Sequence, residues 1–173
     1  PDLALLGTLS SINSVQTIER ANLLGSLDHK LSLNSDVQVQ ASLQSQRTTQ
    51  TQFLENSSNA VDVDVRHRWH PQGSSHDITW GAGFNWYKDS IESVPVVTFD
   101  PNKRSLLNTR LFAQHEYSLL PNKLLMTYGA RVDHDPYSGA QFAPNARLLW
   151  KISDRSSSWL AASRAVRAPS RLE

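Results

Sequence analysis

The chain has 173 residues, room for one ordinary domain, with 17 Lys+Arg against 16 Asp+Glu and 39% hydrophobic residues. The charge balance excludes a basic field for nucleic acid and an acidic disordered tail. The absence of cysteine excludes disulfides and Cys-based zinc sites. Apolar runs are only a few residues long, so no helix can cross a membrane. No basic start leads into an apolar core after Pro1 and Asp2, so an exported chain of this kind is expected to be an excerpt or a processed product.

Residues 1–19 are irregular, after which a period of two begins. Ala21, Leu23, Gly25 and Leu27 share one parity, against Arg20, Asn22, Ser26, Asp28 and Lys30. Val37, Val39, Ala41 and Leu43 oppose Gln38, Gln40, Ser42, Gln44 and Gln46. Val61, Val63, Val65 and Trp69 oppose Asp62, Asp64, Arg66 and Arg68. Ile78, Trp80, Ala82, Phe84 and Trp86 oppose Asp77, Thr79, Gly81, Gly83 and Asn85. The pattern then loosens. Leu107, Leu111, Ala113 and Tyr117 oppose Asn108, Arg110, Gln114 and Glu116, with Phe112 on the polar side. Leu124, Met126, Tyr128, Ala130 and Val132 oppose Lys123, Thr127, Arg131 and Asp133. Ala146, Leu148, Trp150 and Ile152 oppose Asn145, Arg147 and Lys151, and a last strand is expected over about 157–167 through Trp159 and Ala161.

Each segment runs roughly ten residues, the length a tilted strand needs to cross a bilayer and about twice that of an ordinary globular strand. Short turns are expected at Leu33–Asp36, Pro71–Ser75, Leu120–Asn122 and Ser153–Ser156, with longer links at Arg47–Asn59, Lys88–Arg104 and His134–Gln141. Short periplasmic turns alternating with long outer loops are a habit of outer-membrane barrels. Trp69, Tyr117, Trp150 and Trp159 fall near short turns on the apolar parity, as an aromatic belt at a bilayer edge requires; Phe84, Trp86 and Tyr87 stand at the opposite end of their strand, where an outer belt would lie, with Tyr87 on the other parity. Charged and amide residues on the other parity imply a wide, wet interior rather than a narrow filled barrel. The fold class is therefore all-β: an antiparallel up-and-down transmembrane β-barrel wall. The plainer alternative is an eight-stranded sandwich with one wet face.

Three runs carry a family resemblance. Phe112–Glu116, Leu119–Asn122 and Tyr128–His134 form a hairpin pattern; Phe142–Trp150 reads F-x-P-x-x-R-L-x-W; Ser163–Ser170 reads S-x-A-x-R-x-P-S. In this order, over about residues 104–173, they resemble the barrel of TonB-dependent outer-membrane receptors. The resemblance implies about eight strands of a ~22-stranded barrel filled by an N-terminal plug. On this reading residues 20–168 are antiparallel hairpins of the barrel domain, and the plug and TonB box are absent from these 173 residues. It further implies energised uptake of a ferric siderophore, haem or cobalamin. The expected partners are the TonB complex (through the missing N-terminal region), an iron chelate or similar small ligand, and outer-membrane lipid, with no nucleic acid and no resident cofactor. The expected place is the outer membrane of a Gram-negative-type bacterium. Alone, the excerpt would expose two strand edges and self-associate.

Asp133–His134–Asp135 carries metal-binding chemistry, but alternation separates neighbours onto opposite faces, which favours a solvated loop edge. Arg66, Arg68, Arg110, Arg131 and Arg147 share the lumen-facing parity and suit an anionic chelate or the plug; the plainer role is pairing with Asp62, Asp64, Glu116 and Asp133. His76–Asp77 and Asp28–His29 lack a nucleophile in a motif, so no catalytic residue is assigned; a barrel hydrolase would depend on His76 or His134. Val166–Arg167–Ala168–Pro169 is similar to the F-R-A-P box of haem receptors but departs at its first position. A further alternative is a small self-contained barrel with a structural or adhesive role.

Overall fold

A computed structural model describes residues 15–50, 54–92 and 100–166. They form one antiparallel eight-stranded sheet in which every strand pairs with its chain neighbours. The strands are β1 (Gln16–Ser32), β2 (Ser35–Gln50), β3 (Leu54–Trp69), β4 (His76–Glu92), β5 (Lys103–Leu120), β6 (Leu124–Asp135), β7 (Gly139–Ser153) and β8 (Ser156–Ser163). β1 and β8 are the free edges, so these strands do not close on themselves.

The period of two explains the sheet: in register, like faces like across every ladder. Leu43 pairs with Val61, Val61 with Trp86, and Trp86 with Leu107. On the other side Asp64 pairs with Gly83, and Gly83 with Arg110. No hydrophobic side chain is buried among the described residues, and apolar side chains along the whole sheet stand exposed. A sandwich hides its inner face under a second layer; this sheet has none, so the sandwich reading falls.

Several expected boundaries move. The irregular head, expected over 1–19, shortens because β1 begins at Gln16, and β8 stops at Ser163 rather than near 167. Much of the expected long links is strand: β2 runs on to Gln50, β3 begins at Leu54, β4 reaches Glu92, and only residues 136–138 separate β6 from β7. Apart from Leu54 and Ile91 these extensions are polar on both faces, so they lack the alternation that marks a strand, yet backbone pairing continues through them. Link length therefore does not alternate cleanly.

Pro144 lies inside β7, where a missing N–H should cost a ladder bond. Its carbonyl accepts from the Arg164 backbone N–H at 3.0 Å, on the β8 side. The missing donor also faces that side, just where the β7–β8 ladder ends at Asn145↔Ser163, so pairing with β6 is intact.

The register also sets the strand tilt. The closing pair of the first hairpin, Ser32↔Ser35, lies on the transverse row of Trp69, Ile78, His115, Tyr128 and Ala146. The closing pair of the last hairpin, Ser153↔Ser156, lies about six to seven residues beyond that row. With ~3.3 Å per residue and ~4.8 Å between strands, this drift over six strand steps tilts the strands by roughly 37°. Barrel walls tilt by about 35–45°.

Candidate functional site

The apolar face is bounded at both ends, and the boundary beside the short turns is level once the tilt is taken into account. Relative to Trp69 on β3, Tyr117 on β5 lies two residues further along its strand and Trp150 on β7 lies four further. That is the same drift of one residue per strand as the hairpins, so the three rings stand at one height beside the short turns. The far boundary runs through Val61, Trp86, Leu107 and Phe142, eight residues from Trp69 on β3 and ten from Tyr117 on β5. At the tilt above this spans ~21–26 Å, against an apolar band of ~25 Å in outer-membrane barrels. Beyond it both faces turn polar, and Arg47 pairs there with Glu55, whose hydrogen bond and then charge raise the guanidinium above its ordinary pKa.

Trp159 leaves the expected belt. It pairs with Leu149, on the face of Asn145 and Arg147, and the Arg147 guanidinium stands 5.9 Å from its ring centroid. The reason is local: Trp159–Leu160–Ala161–Ala162 is apolar at consecutive positions, so parity cannot be read from sequence, and the register puts Leu160 on the apolar face instead. Tyr87 lies on the polar face, as its parity predicts, opposite Ala60 and Leu106.

All five singled-out arginines occupy that polar face. Arg110 on β5 reaches across β4 to β3, donating to Asp64 from Nε at 2.7 Å and to Asp62 at 2.8 Å. Gly83 makes this reach possible. A Cβ there would stand 2.2 Å from Asp64 Oδ1 and 2.7 Å from Arg110 Nε, so the ion pair lies in the space a side chain would fill. Gly81 plays the same part for Phe112, whose ring carbons would lie 2.7 and 2.9 Å from an added Cβ. The apolar ring on the polar side thus covers bare backbone. Arg68 donates to Asp77 at 2.9 and 3.0 Å, and Arg131 to Asp133 at 2.7 Å. Pairing with Asp62, Asp64 and Asp133 therefore holds, whereas Glu116 takes a 3.4 Å bond from Thr127 instead. Arg66 and Arg147 have no carboxylate partner among the described residues.

Asp133, His134 and Asp135 are not brought together. Asp133 faces Arg110 and Gln141, His134 lies on the opposite parity with Thr109 and Ala140, and Asp135 accepts the Tyr137 and Ser138 backbone N–H groups at 2.8 and 3.2 Å. Among the described residues no three His, Cys, Asp or Glu side chains gather as a metal site. Asp28 and His29 likewise split between faces, opposite Gln38 and Val37. His76 leaves Asp77, its expected neighbour, and joins His115, Tyr117 and Tyr128 on the apolar face. Sequence reasoning missed this cluster because its members are scattered along the chain and only the register joins them. Of the Val166–Pro169 run, all but Val166 lies outside the described residues.

Residues 6–173 match the family model described as TonB dependent receptor-like, beta-barrel. The chain belongs to this family. It is a family of transport receptors, and the hydrolase reading is dropped with that match. No curated protein matches the chain. Among solved structures, a mutant ferric enterobactin receptor, PfeA, of Pseudomonas aeruginosa is similar over 90% of this chain and 34% of its own, with a TM-score of 0.52 at 15% identity. The RagAB peptide importer in its closed-closed state is similar over 83% of this chain and 21% of its own, with a TM-score of 0.51 at 12% identity. The chain thus spans about a third of the length of the first of these receptors. At such identities the likeness shows the fold: a stretch of TonB-dependent receptor barrel wall.

Proposed function

We propose that this wall belongs to a TonB-dependent receptor of the outer membrane of a Gram-negative-type bacterium, importing a scarce ligand such as a ferric siderophore, haem or cobalamin. The observation that carries the reading is the two-faced, coreless sheet: an apolar band bounded by a tilt-matched aromatic line, backed by a face of ion pairs. On this reading the apolar face meets lipid and the polar face meets the lumen and its plug. The plug and TonB box would lie in parts of the receptor outside these 173 residues, with residues 20–168 as barrel hairpins. Arg66 and Arg147, with no carboxylate partner among the described residues, supply positive charge for an anionic chelate or for acidic plug residues. The tips around 47–59 and 88–104 are the candidate ligand contacts, as variable loops on a rigid scaffold usually are. A small self-contained barrel would pair β1 with β8, and both edges are free.

The test is uptake by the full-length receptor, expressed in a host lacking its own ferric-chelate, haem and cobalamin receptors. Radiolabelled ferric chelates, haem and cobalamin are offered with TonB present and deleted. At least one ligand should accumulate, only with TonB. Accumulation that ignores TonB, or none with any of the ligands, contradicts the proposal.

A further inference from the structure

We infer that the His76–His115–Tyr128 chain on the apolar face is a phospholipid-headgroup site at the membrane surface beside the short turns. The inference rests on the barrel-wall reading. His115 and Tyr128 are directly paired across β5 and β6, two and three residues inside the aromatic line. His76 lies one residue outside that line, paired with Tyr117. The Tyr128 hydroxyl is 2.7 Å from His115 Nδ1, and His115 Nε2 is 2.8 Å from His76 Nδ1. A polar chain thus runs from within the hydrocarbon layer to its edge.

The layer dictates which way the protons point. A neutral imidazole carries one N–H, so each ring donates at one nitrogen and accepts at the other. If Tyr128 donates to His115 Nδ1, then His115 donates from Nε2 to His76 Nδ1, and His76 carries its proton on Nε2. Every donor of this chain inside the apolar band is then satisfied. In the reverse direction the Tyr128 hydroxyl proton has no acceptor among the described residues and is stranded in hydrocarbon, which costs far more than it does in water. The first direction therefore holds, and it leaves one free donor, His76 Nε2–H, at headgroup height. No described residue accepts it.

The surroundings suit a lipid rather than a free anion. The Tyr117 ring stacks on His76 with centroids 4.5 Å apart and planes 17° apart, fixing the imidazole before any ligand arrives. The transverse row from His76 continues through Tyr117, Met126, Leu148 and Leu160. Because the strands tilt, this row descends from the headgroup level into the hydrocarbon layer. It offers an acyl chain an apolar track, with Leu148 37% and Leu160 73% exposed. A phosphate oxygen accepts the His76 donor above that track.

The experiment is native mass spectrometry of the full-length receptor extracted in mild detergent from vesicles of phosphatidylethanolamine and phosphatidylglycerol. His76→Phe keeps the stack and removes the donor. His76→Leu removes the donor and the stack together. Each should lower phospholipid retention about tenfold, the loss of one hydrogen bond to a charged acceptor, while His76→Gln, which keeps an N–H near the Nε2 position, should retain most of it. Heat-modifiable migration confirms that each variant is a folded barrel. If His76→Phe does not fold, the comparison of His76→Leu with wild type decides. Retention equal to wild type in folded His76→Phe or His76→Leu overturns the inference, as does displacement of the lipid by inorganic phosphate alone. Failure of the barrel reading is distinct: no variant, nor the wild type, would then insert into vesicles.

Discussion

Arginine placed on the apolar face should cost stability according to depth. Ala82 pairs with Val65, four residues from Trp69, and one strand further along the drift, so it lies about five residues or ~13 Å inside the aromatic line. That is the middle of the band, and Ala82→Arg should cost ~2–4 kcal/mol. Met126 pairs with Tyr117 and lies one residue, ~3 Å, inside the line. Arginine there can reach the headgroups, so Met126→Arg should cost about 1 kcal/mol or less from lipid exposure. Asn85, on the polar face opposite Asp62, is the control; Asn85→Arg should stay within about 0.5 kcal/mol. The assay is urea-driven unfolding of the full-length receptor from thin lipid vesicles, read by tryptophan emission. Equal costs at Ala82 and Met126, or a larger cost at Asn85 than at Ala82, would refute the depth argument.

Two further outcomes follow from the sheet. Gly81→Ala should destabilise more than Gly83→Ala: its Cβ would meet the Val65 backbone oxygen at 2.3 Å, whereas at Gly83 the closest atoms belong to the movable Asp64 and Arg110 side chains. Overpacking costs typically run about 1–3 kcal/mol, and the urea midpoints of the two variants give the order; a lower midpoint for Gly83→Ala would count against it. The isolated 173-residue chain exposes the unpaired edges of β1 and β8 and should form concentration-dependent oligomers in detergent, seen by sedimentation. A monomer across the whole concentration range would mean that the edges are covered.

The strands of the first half were legible because Val61–Trp69 and Ile78–Trp86 alternate in residue size and polarity, with His67 the one exception. The extensions Gln44–Gln50 and Glu55–Asn59 were not, since alternation vanishes where both faces are wet although the ladder continues. Trp159 was misplaced for the opposite reason: consecutive apolar residues leave parity undefined, and only the pairing with Leu149 settles it. Phe112 was visible as an exception, but its cause, the bare backbone of Gly81, lies 31 positions away and needs the register. The common face of the five arginines was legible from parity alone. Their partners were partly legible, because Asp62 and Asp64 lie two strands from Arg110 and are reached only over Gly83, its neighbour on the strand between.

The most direct test of the membrane-wall claim is solvent accessibility along β4 in the full-length receptor reconstituted into vesicles. Spin labels are placed singly at positions 78 to 86, and collision rates with oxygen and with a water-soluble nickel chelate are compared. Oxygen should dominate at Ile78, Trp80, Ala82, Phe84 and Trp86, with the contrast greatest at Ala82, and fall at Thr79, Gly81, Gly83 and Asn85. A profile without period two, or one in which the even positions are shielded from oxygen, would contradict the account.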